Sequence, residues 1–402
     1  MRWLFWSIAS FFYLYEFIHR VFPGIVVPEL MADFRISSAL IGLISAAYYY
    51  SYALCQIPVG LILDRFGPRR SLTIAALLVA SGSLLFSHTD NLSMAIFSRI
   101  IIGIGSSFSF VGCLKIATDW FPSSKLGLLV GLTNLLGVTG AIFGGKPLAH
   151  IVDAFGWRIV MYTYSIVGVV CSILIYSIVR DKKGCDLKVC RSSITEGLFL
   201  TAKNPYIWLF SFIAALLVVP IATYSELWGT TYLMNELELD KPQAAAITTI
   251  TFLGVAIGGP LIGWASDYCK SKVTPMLFGN IGAMCCLLAI LFGHIENMNI
   301  LMLTHICLGF FTSSMLVCFT INAQKVPAHC RATAIGFTNM MVMSFSTFFQ
   351  IICGQIMDHS PAEIEFFGNK LSNYQFAMLP ILVCSVISLI TLLNLYKFHR
   401  EV

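Results

Sequence analysis

Apolar stretches long enough to cross a bilayer, which takes roughly 20 residues, succeed one another along the whole chain. They fall at roughly 5–27, 39–63, 71–88, 92–118, 126–150, 158–179, 206–233, 243–265, 274–293, 298–322, 332–357 and 373–396, here numbered spans 1 to 12. Each reads as an α-helix, because a bilayer core offers no water to an unpaired backbone N–H or C=O. Glycine and proline inside the stretches do not argue against this, since neighbouring helices re-satisfy freed backbone groups in a membrane. Twelve helices with short connections use up the 402 residues and leave no separate soluble domain. The largest polar interruption, Asp181 to Asn204, divides the chain into a six-helix bundle (residues 1–180), a loop (181–204) and a second six-helix bundle (205–402). The expected fold class is an all-α membrane protein of twelve transmembrane helices in two pseudo-symmetric bundles.

Composition excludes a water-soluble globule. Charged residues make up 11 % of the chain, where a soluble protein has about 25 %, and the mean hydropathy is +0.82. The cations are unevenly placed. With the N-terminus inside, the cytoplasmic breaks and ends hold seventeen Lys and Arg, including Arg65, Arg69, Arg70, Lys125, Arg180, Lys270 and Arg331. The opposite side holds four: Arg35, Arg158, Lys241 and Lys370. That bias predicts a multi-pass protein of the cell (inner) membrane with both termini cytoplasmic. The first stretch is not a cleaved signal, for it is too long, carries Glu16, His19 and Arg20, and has no small-residue cleavage site.

Most of the thirteen cysteines lie within spans as small apolar residues. Cys185 and Cys190 fall in the loop assigned to the reducing cytoplasm, so no structural disulfide is expected. The sequence has no C-x-x-C, no G-x-x-x-x-G-K-S/T and no G-x-S-x-G. An enzyme is therefore not expected, nor a metal, a cofactor, ATP as an energy source or a nucleic-acid partner.

Chemistry concentrates in two places. Between spans 2 and 3 runs Gly60-Leu-Ile-Leu-Asp64-Arg65-Phe-Gly67-Pro68-Arg69-Arg70, one carboxylate and three guanidiniums bracketed by glycine. An ordinary basic cytoplasmic turn is the alternative reading. Gly60-x-x-x-Asp64 returns as Gly263-x-x-x-Asp267 after span 8. The spacing is close to half the chain, as a duplicated six-helix unit would give. The second place is inside the spans, where Glu16, Arg20, Arg99, Lys115, Lys146 and Glu226 each need a partner or an aqueous path. Glu16 and Arg20, four apart, share a helix face and can pair. His19, about 100° away around the helix, reads as packing. Lys115 and Asp119 are also four apart, and Lys146 either snorkels outward or faces a cavity. Span 7 reads Pro220-Ile-Ala-Thr-Tyr224-Ser225-Glu226-Leu-Trp228-Gly229, a bent, cavity-lining helix, with Trp228 alternatively an interface residue. Tyr49 is one of four tyrosines crowding span 2, and His305 in span 10 is titratable or simply packed.

The G-x-x-x-D-R-x-G-x-R-R run resembles the loop between helices 2 and 3 of the major facilitator superfamily, with Pro68 spacing Arg69 and Arg70 one residue further from Gly67 than in many members. Arg99-x-x-x-Gly103-x-Gly105 is similar to that family's span 4 motif, whose arginine is associated with the polar interior and proton coupling. The resemblance implies that Asp119 meets the arginines of the 60–70 stretch and braces the cytoplasmic end. It also implies that spans 1, 4, 7 and 10 line the path. Span 5 reads Gly137-Val-Thr-Gly140-Ala-Ile-Phe-Gly144-Gly145-Lys146-Pro147 and lacks the G-x-x-x-G-P-x-x-G-G of drug–proton antiporters, which disfavours a drug exporter. Tyr15-Glu16-x-x-x-Arg20, Phe155-Gly156-Trp157-Arg158 and Glu226-Leu227-Trp228-Gly229 resemble transporters near the sugar-phosphate permeases and the branch of the lysosomal dipeptide transporter.

The expected activity is secondary, alternating-access transport of a small polar metabolite by a monomer, with protons as a candidate coupling ion. Four cations against two anions inside the spans favour a carboxylate- or phosphate-bearing substrate such as an amino acid, dipeptide or organic anion. Its candidate binding residues are Glu16, Arg20, Tyr49, Arg99, Lys115, Glu226, Trp228 and His305. The candidate gating residues are Gly60, Asp64, Arg65, Gly67, Arg69, Arg70, Asp119, Gly263 and Asp267. A facilitative uniporter, an exporter of the same fold, and a non-transporting receptor-like protein are the rival readings; the short Lys397–Val402 tail weighs against the last.

Overall fold

The computed structural model describes residues 1–122, 126–181, 201–268, 271–293, 295–326, 331–366 and 369–401, and the side chains of Asp64, Arg65 and Asp267 lie outside the described residues. Among the described residues, eleven helices are long and apolar enough to cross a membrane. The twelfth expected span is the first helix, α1 (Arg2–Ile25), whose 24 residues suffice for a crossing. Glu16, His19 and Arg20 make it less apolar than the rest.

The chain forms two compact units, one of Met1–Ile36 with Leu43–Arg191, the other of Ser37–Gly42 with Ser192–Val402. The first contains α1, a short α2 (Val27–Phe34) and, from Leu43 onward, α3 (Ser38–Ser87), which carries spans 2 and 3. Span 4 is α4 (Leu92–Ser106) with α5 (Phe108–Trp120), span 5 is α6 (Leu126–Phe143) with α7 (Lys146–Phe155), and span 6 is α8 (Trp157–Ile178). In the second unit, span 7 comprises α9 (Pro205–Val219), a π-helix over Pro220–Trp228 and α10 (Gly229–Glu236). Spans 8 and 9 are α11 (Lys241–Tyr268) and α12 (Val273–Phe292). Span 10 is α13 (Met298–Thr312), a 3₁₀ turn (Ser313–Met315) and α14 (Leu316–Gln324); spans 11 and 12 are α15 (Arg331–His359) and α16 (Asn373–Glu401).

Local chemistry explains the boundaries. Asn91, Asn204 and Asn297 start α4, α9 and α13 by accepting N–H bonds from Met94 (2.9 Å), Tyr206 (3.0 Å) and Asn299 (3.0 Å). These are donors that a helix start leaves unsatisfied. The 60–70 stretch differs from the loop expected: it is helical except at Gly67, where φ is 77° and ψ 159°. A left-handed glycine followed by a proline is enough to end one helix and start the next, so spans 2 and 3 meet without a longer connection. A second departure is a two-stranded antiparallel hairpin between spans 11 and 12, β1 (Glu363–Phe366) against β2 (Asn369–Ser372). Its alternation of polar and apolar residues is too short to stand out beside the long helical stretches.

Candidate functional site

The first unit brings three of its intramembrane charges, Glu16, Arg20 and Arg99, together around Tyr48. On α1, Arg20 Nη2 lies 3.2 Å from Glu16 Oε1, so the i,i+4 pair expected from spacing is formed. The Tyr48 hydroxyl donates to the same oxygen. Glu16 is wholly buried, and its Oε2 has no protein partner. The Arg20 guanidinium carbon sits 4.4 Å from the Phe17 ring centroid and 5.3 Å from that of Tyr52. Aromatic faces attract a cation electrostatically.

Arg99 enters this cluster from span 4 through its own motif. One turn beyond it, Gly103 packs so tightly on span 2 that a Cβ there would collide with the Tyr48 carbonyl and the Ser51 hydroxyl. Gly105, on the other side of the helix, is pressed likewise against the Ala75 carbonyl of span 3. The close approach lays the Arg99 guanidinium 4.7 Å from the Tyr48 ring centroid. Its Nη1 donates to the His19 carbonyl at 2.9 Å. Arg99 is 1 % exposed, yet Nε and Nη2 have no protein partner. A buried polar donor left unfilled costs about 1–3 kcal/mol, more if charged. Donors in that state suit an oxyanion, and Glu16, which meets the same Tyr48 side chain, has an oxygen that can take a proton.

The sequence expectation named Tyr49; among the span 2 tyrosines it is the Tyr48 hydroxyl that reaches Glu16, with Tyr49 edge-on to the Tyr48 ring at 5.3 Å. In an unbroken run of tyrosines only the step of about 100° per helical residue selects one, and the orientation of span 2 is not in the spacing. Lys146 is exposed, consistent with snorkelling rather than with the site.

The second unit repeats the scheme without the arginine. His305 stands four residues before Gly309 as Arg99 stands four before Gly103, and a Cβ at Gly309 would collide with the Thr251 carbonyl of span 8. His305 Nδ1 lies 2.8 Å from the Leu301 carbonyl. A carbonyl can only accept, so Nδ1 carries the hydrogen. In the neutral ring, Nε2 then accepts from the Tyr224 hydroxyl at 3.1 Å. Glu226 is buried within the π-helix. Trp228 is fully buried, not at an interface, and donates to the Gln350 carbonyl at 3.0 Å, while Gln350 Nε2 donates to the Ala222 carbonyl at 2.7 Å. The π winding has a cause in sequence: Pro220 cannot donate within the ladder, and the Gly229 N–H bonds Tyr224, five residues back. Gln350 was not among the expected residues. It is one of several amides in a long apolar span, with Asn339 and Gln355, and nothing in the spacing distinguishes it.

At the cytoplasmic end, Asp119 pairs with Lys115 at 3.3 Å, one turn away on the same helix. The contact with the arginines of the 60–70 stretch that the resemblance implied rests in part on Arg65, whose side chain lies outside the described residues. Arg69 Nε donates to the Tyr176 carbonyl at 2.7 Å, and its backbone N–H donates to Asp181 Oδ1 at 2.9 Å. Asp181, the first residue of the expected polar loop, thus reaches back to the start of span 3. It also lies against Gly67, where a Cβ would crowd its carboxylate. Arg70 is exposed. A Cβ on Gly60 or Gly263 would meet nothing within 4 Å, so neither glycine serves a close approach. The expected roles of Asp64, Arg65 and Asp267 rest on side chains outside the described residues.

Comparison with known proteins agrees with this architecture. The membrane sensor protein UhpC of Escherichia coli (strain K12) is 25 % identical over 275 residues, 63 % of this chain and 62 % of that protein. The hexuronate transporter of Bacillus subtilis (strain 168) is 24 % identical over 274 residues, 64 % of this chain and 62 % of that protein. The chain therefore matches less than two thirds of the length of these relatives. The solved structure of the nucleoside transporter NupG superposes with a TM-score of 0.80 at 12 % identity, covering 97 % of this chain and 99 % of that one, and shares its fold. The sequence pattern of the Major Facilitator Superfamily matches residues 5–351, and the chain belongs to that family.

Proposed function

We propose that this protein is a secondary transporter of a small organic anion, with Arg99 and Arg20 receiving the anionic group and Glu16 exchanging the coupled proton. The observation that carries the reading is Arg99, buried at 1 % exposure with Nε and Nη2 lacking protein partners. A desolvated guanidinium binds a carboxylate or phosphate through charge-assisted bonds roughly twice as strong as neutral ones. The likeness to a hexuronate transporter supports an oxygen-rich acid over a dipeptide. The seventeen-to-four cation bias supports an inner-membrane protein with both termini in the cytoplasm. Purified protein should be stabilised against heat by at least one of D-glucuronate, D-gluconate, glucose 6-phosphate and sulfoacetate, since a ligand of the folded state raises its apparent stability. Stabilisation by neutral or cationic metabolites alone would remove the anion reading.

A second reading is favoured by the likeness to UhpC, a protein named as a membrane sensor. A sensor of this fold binds its ligand without moving it. Reconstituted protein that is stabilised by an anion yet fails to exchange labelled for unlabelled anion across a vesicle membrane is a sensor; exchange makes it a carrier.

A further inference from the structure

Arg99 is fixed by a backbone atom, and the sequence explains why that atom is available. His19 lies four residues before Pro23 within α1. In a regular helix the N–H of residue 23 would bond the His19 carbonyl. Proline has no N–H, and its ring displaces the carbonyl four residues back. Arg99 Nη1 takes up that carbonyl at 2.9 Å. The His19 ring is itself held, edge-on to Tyr15 at 4.7 Å and Tyr164 at 5.4 Å. Edge-on contacts of this kind are favoured by the ring quadrupole, so the carbonyl is presented from a packed turn.

We propose that Pro23 is a positioning residue for the anion site: it frees the His19 carbonyl, which grips one edge of the Arg99 guanidinium and turns Nε and Nη2 toward the anion. The inference rests on the anion-binding reading above. The choice of anchor has a chemical consequence. A carboxylate would hold Arg99 as firmly but would compete with an anionic ligand for its charge. A carbonyl is neutral, so it orients the guanidinium while leaving the full charge for the ligand. The Tyr48 ring beneath Arg99 does the same from the face, at 4.7 Å. Arg20 contrasts with this, being paired at 3.2 Å with the Glu16 carboxylate.

Pro23→Ala returns an N–H to the helix at the position that would draw the His19 carbonyl back into the ladder. Thermal titration with D-glucuronate, D-gluconate, glucose 6-phosphate and sulfoacetate reads the effect. For whichever of them stabilises the wild type, Pro23→Ala should weaken apparent affinity about tenfold, the worth of one charge-assisted bond made poorly. The melting temperature of the ligand-free protein should hold or rise, since alanine is the better helix former. Replacing Pro23 with lactic acid, whose ester linkage also lacks an N–H, should retain wild-type affinity, a rescue that a purely structural role of the proline ring would not give. In an Arg99→Lys background Pro23→Ala should have no further effect on affinity. If Arg99→Lys weakens binding but Pro23→Ala does not, or if the lactate form binds as poorly as the alanine form, the positioning role is wrong while the anion site stands. If none of the four anions stabilises the wild type, or if Arg99→Lys leaves affinity unchanged, the anion reading itself fails and this inference falls with it.

Discussion

At the scale of the residue, the energetic question is how two opposite charges survive inside α1. Glu16 and Arg20 are held 3.2 Å apart, with the Tyr48 hydroxyl on the same carboxylate oxygen. Removing one member of a buried pair costs about 3–5 kcal/mol, because the other is left charged and dry. Arg20→Ala should therefore lower the unfolding midpoint markedly. Adding Glu16→Gln to it should restore at least half the loss, since the amide needs no counter-charge; equal midpoints for the single and double variants would show that the pair is not the stabilising unit. Arg99→Lys should keep the fold but weaken anion binding about tenfold or more, because an ammonium offers no planar pair of donors. Retained anion stabilisation in that variant would exclude the role given to Arg99. The pair itself was legible from its spacing of four. That the Tyr48 hydroxyl is the one that reaches Glu16 was not, because four tyrosines in one turn and a half cover most of a helix circumference and only tertiary packing selects among them.

The helices are set by glycines that allow contact between backbones. Gly103 places span 4 on the Tyr48 carbonyl, and Gly309 places span 10 on the Thr251 carbonyl. Gly103→Ala should cost about 1–3 kcal/mol, as overpacking does, and should also weaken anion binding by lifting Arg99 from the Tyr48 ring. Gly263→Ala, with nothing within 4 Å of the added carbon, should leave the melting temperature unchanged. A Gly103→Ala protein that melts and binds like the wild type would refute this packing role. Gly67→Ala faces a different penalty, a positive φ of 77° and the Asp181 carboxylate. Only glycine takes that backbone conformation without cost, so the variant should slow transport while sparing equilibrium anion binding. Most spans were readable from hydropathy, but the helical 60–70 stretch and the hairpin before span 12 were not. The π winding of Pro220–Trp228 was visible only as the expectation of a bend, since Pro220 removes a donor without dictating how the turn is repaired. Asp181 was hidden by its place at the edge of a polar loop, where a carboxylate carries no periodic signal.

For the whole molecule, the repeat was only weakly legible, through one short motif that recurs after half the chain. The spacing that links Gly60 to Gly263 also links Tyr48 to Thr251, and a slightly longer one links Arg99 to His305 and the break at Ser107 to that at Ser313. Each unit thus builds a matching glycine-to-carbonyl contact, but the first carries a charged pair and a free-edged guanidinium where the second carries a histidine bonded to Tyr224. On that asymmetry we place the proposed anion binding and proton exchange in the first unit. A proton reaching Glu16 would neutralise it and release Arg20 toward the anion, so proton and anion should move together. Purified protein in liposomes, with the outside acidified, measures this directly through accumulation of whichever anion stabilises it. The wild type should concentrate the anion above the outside level, and Glu16→Gln, a lasting mimic of the protonated carboxyl, should exchange the anion across the membrane but not concentrate it. A Glu16→Gln protein that still accumulates anion under the pH gradient, or a wild type that only equilibrates it, would contradict the claim.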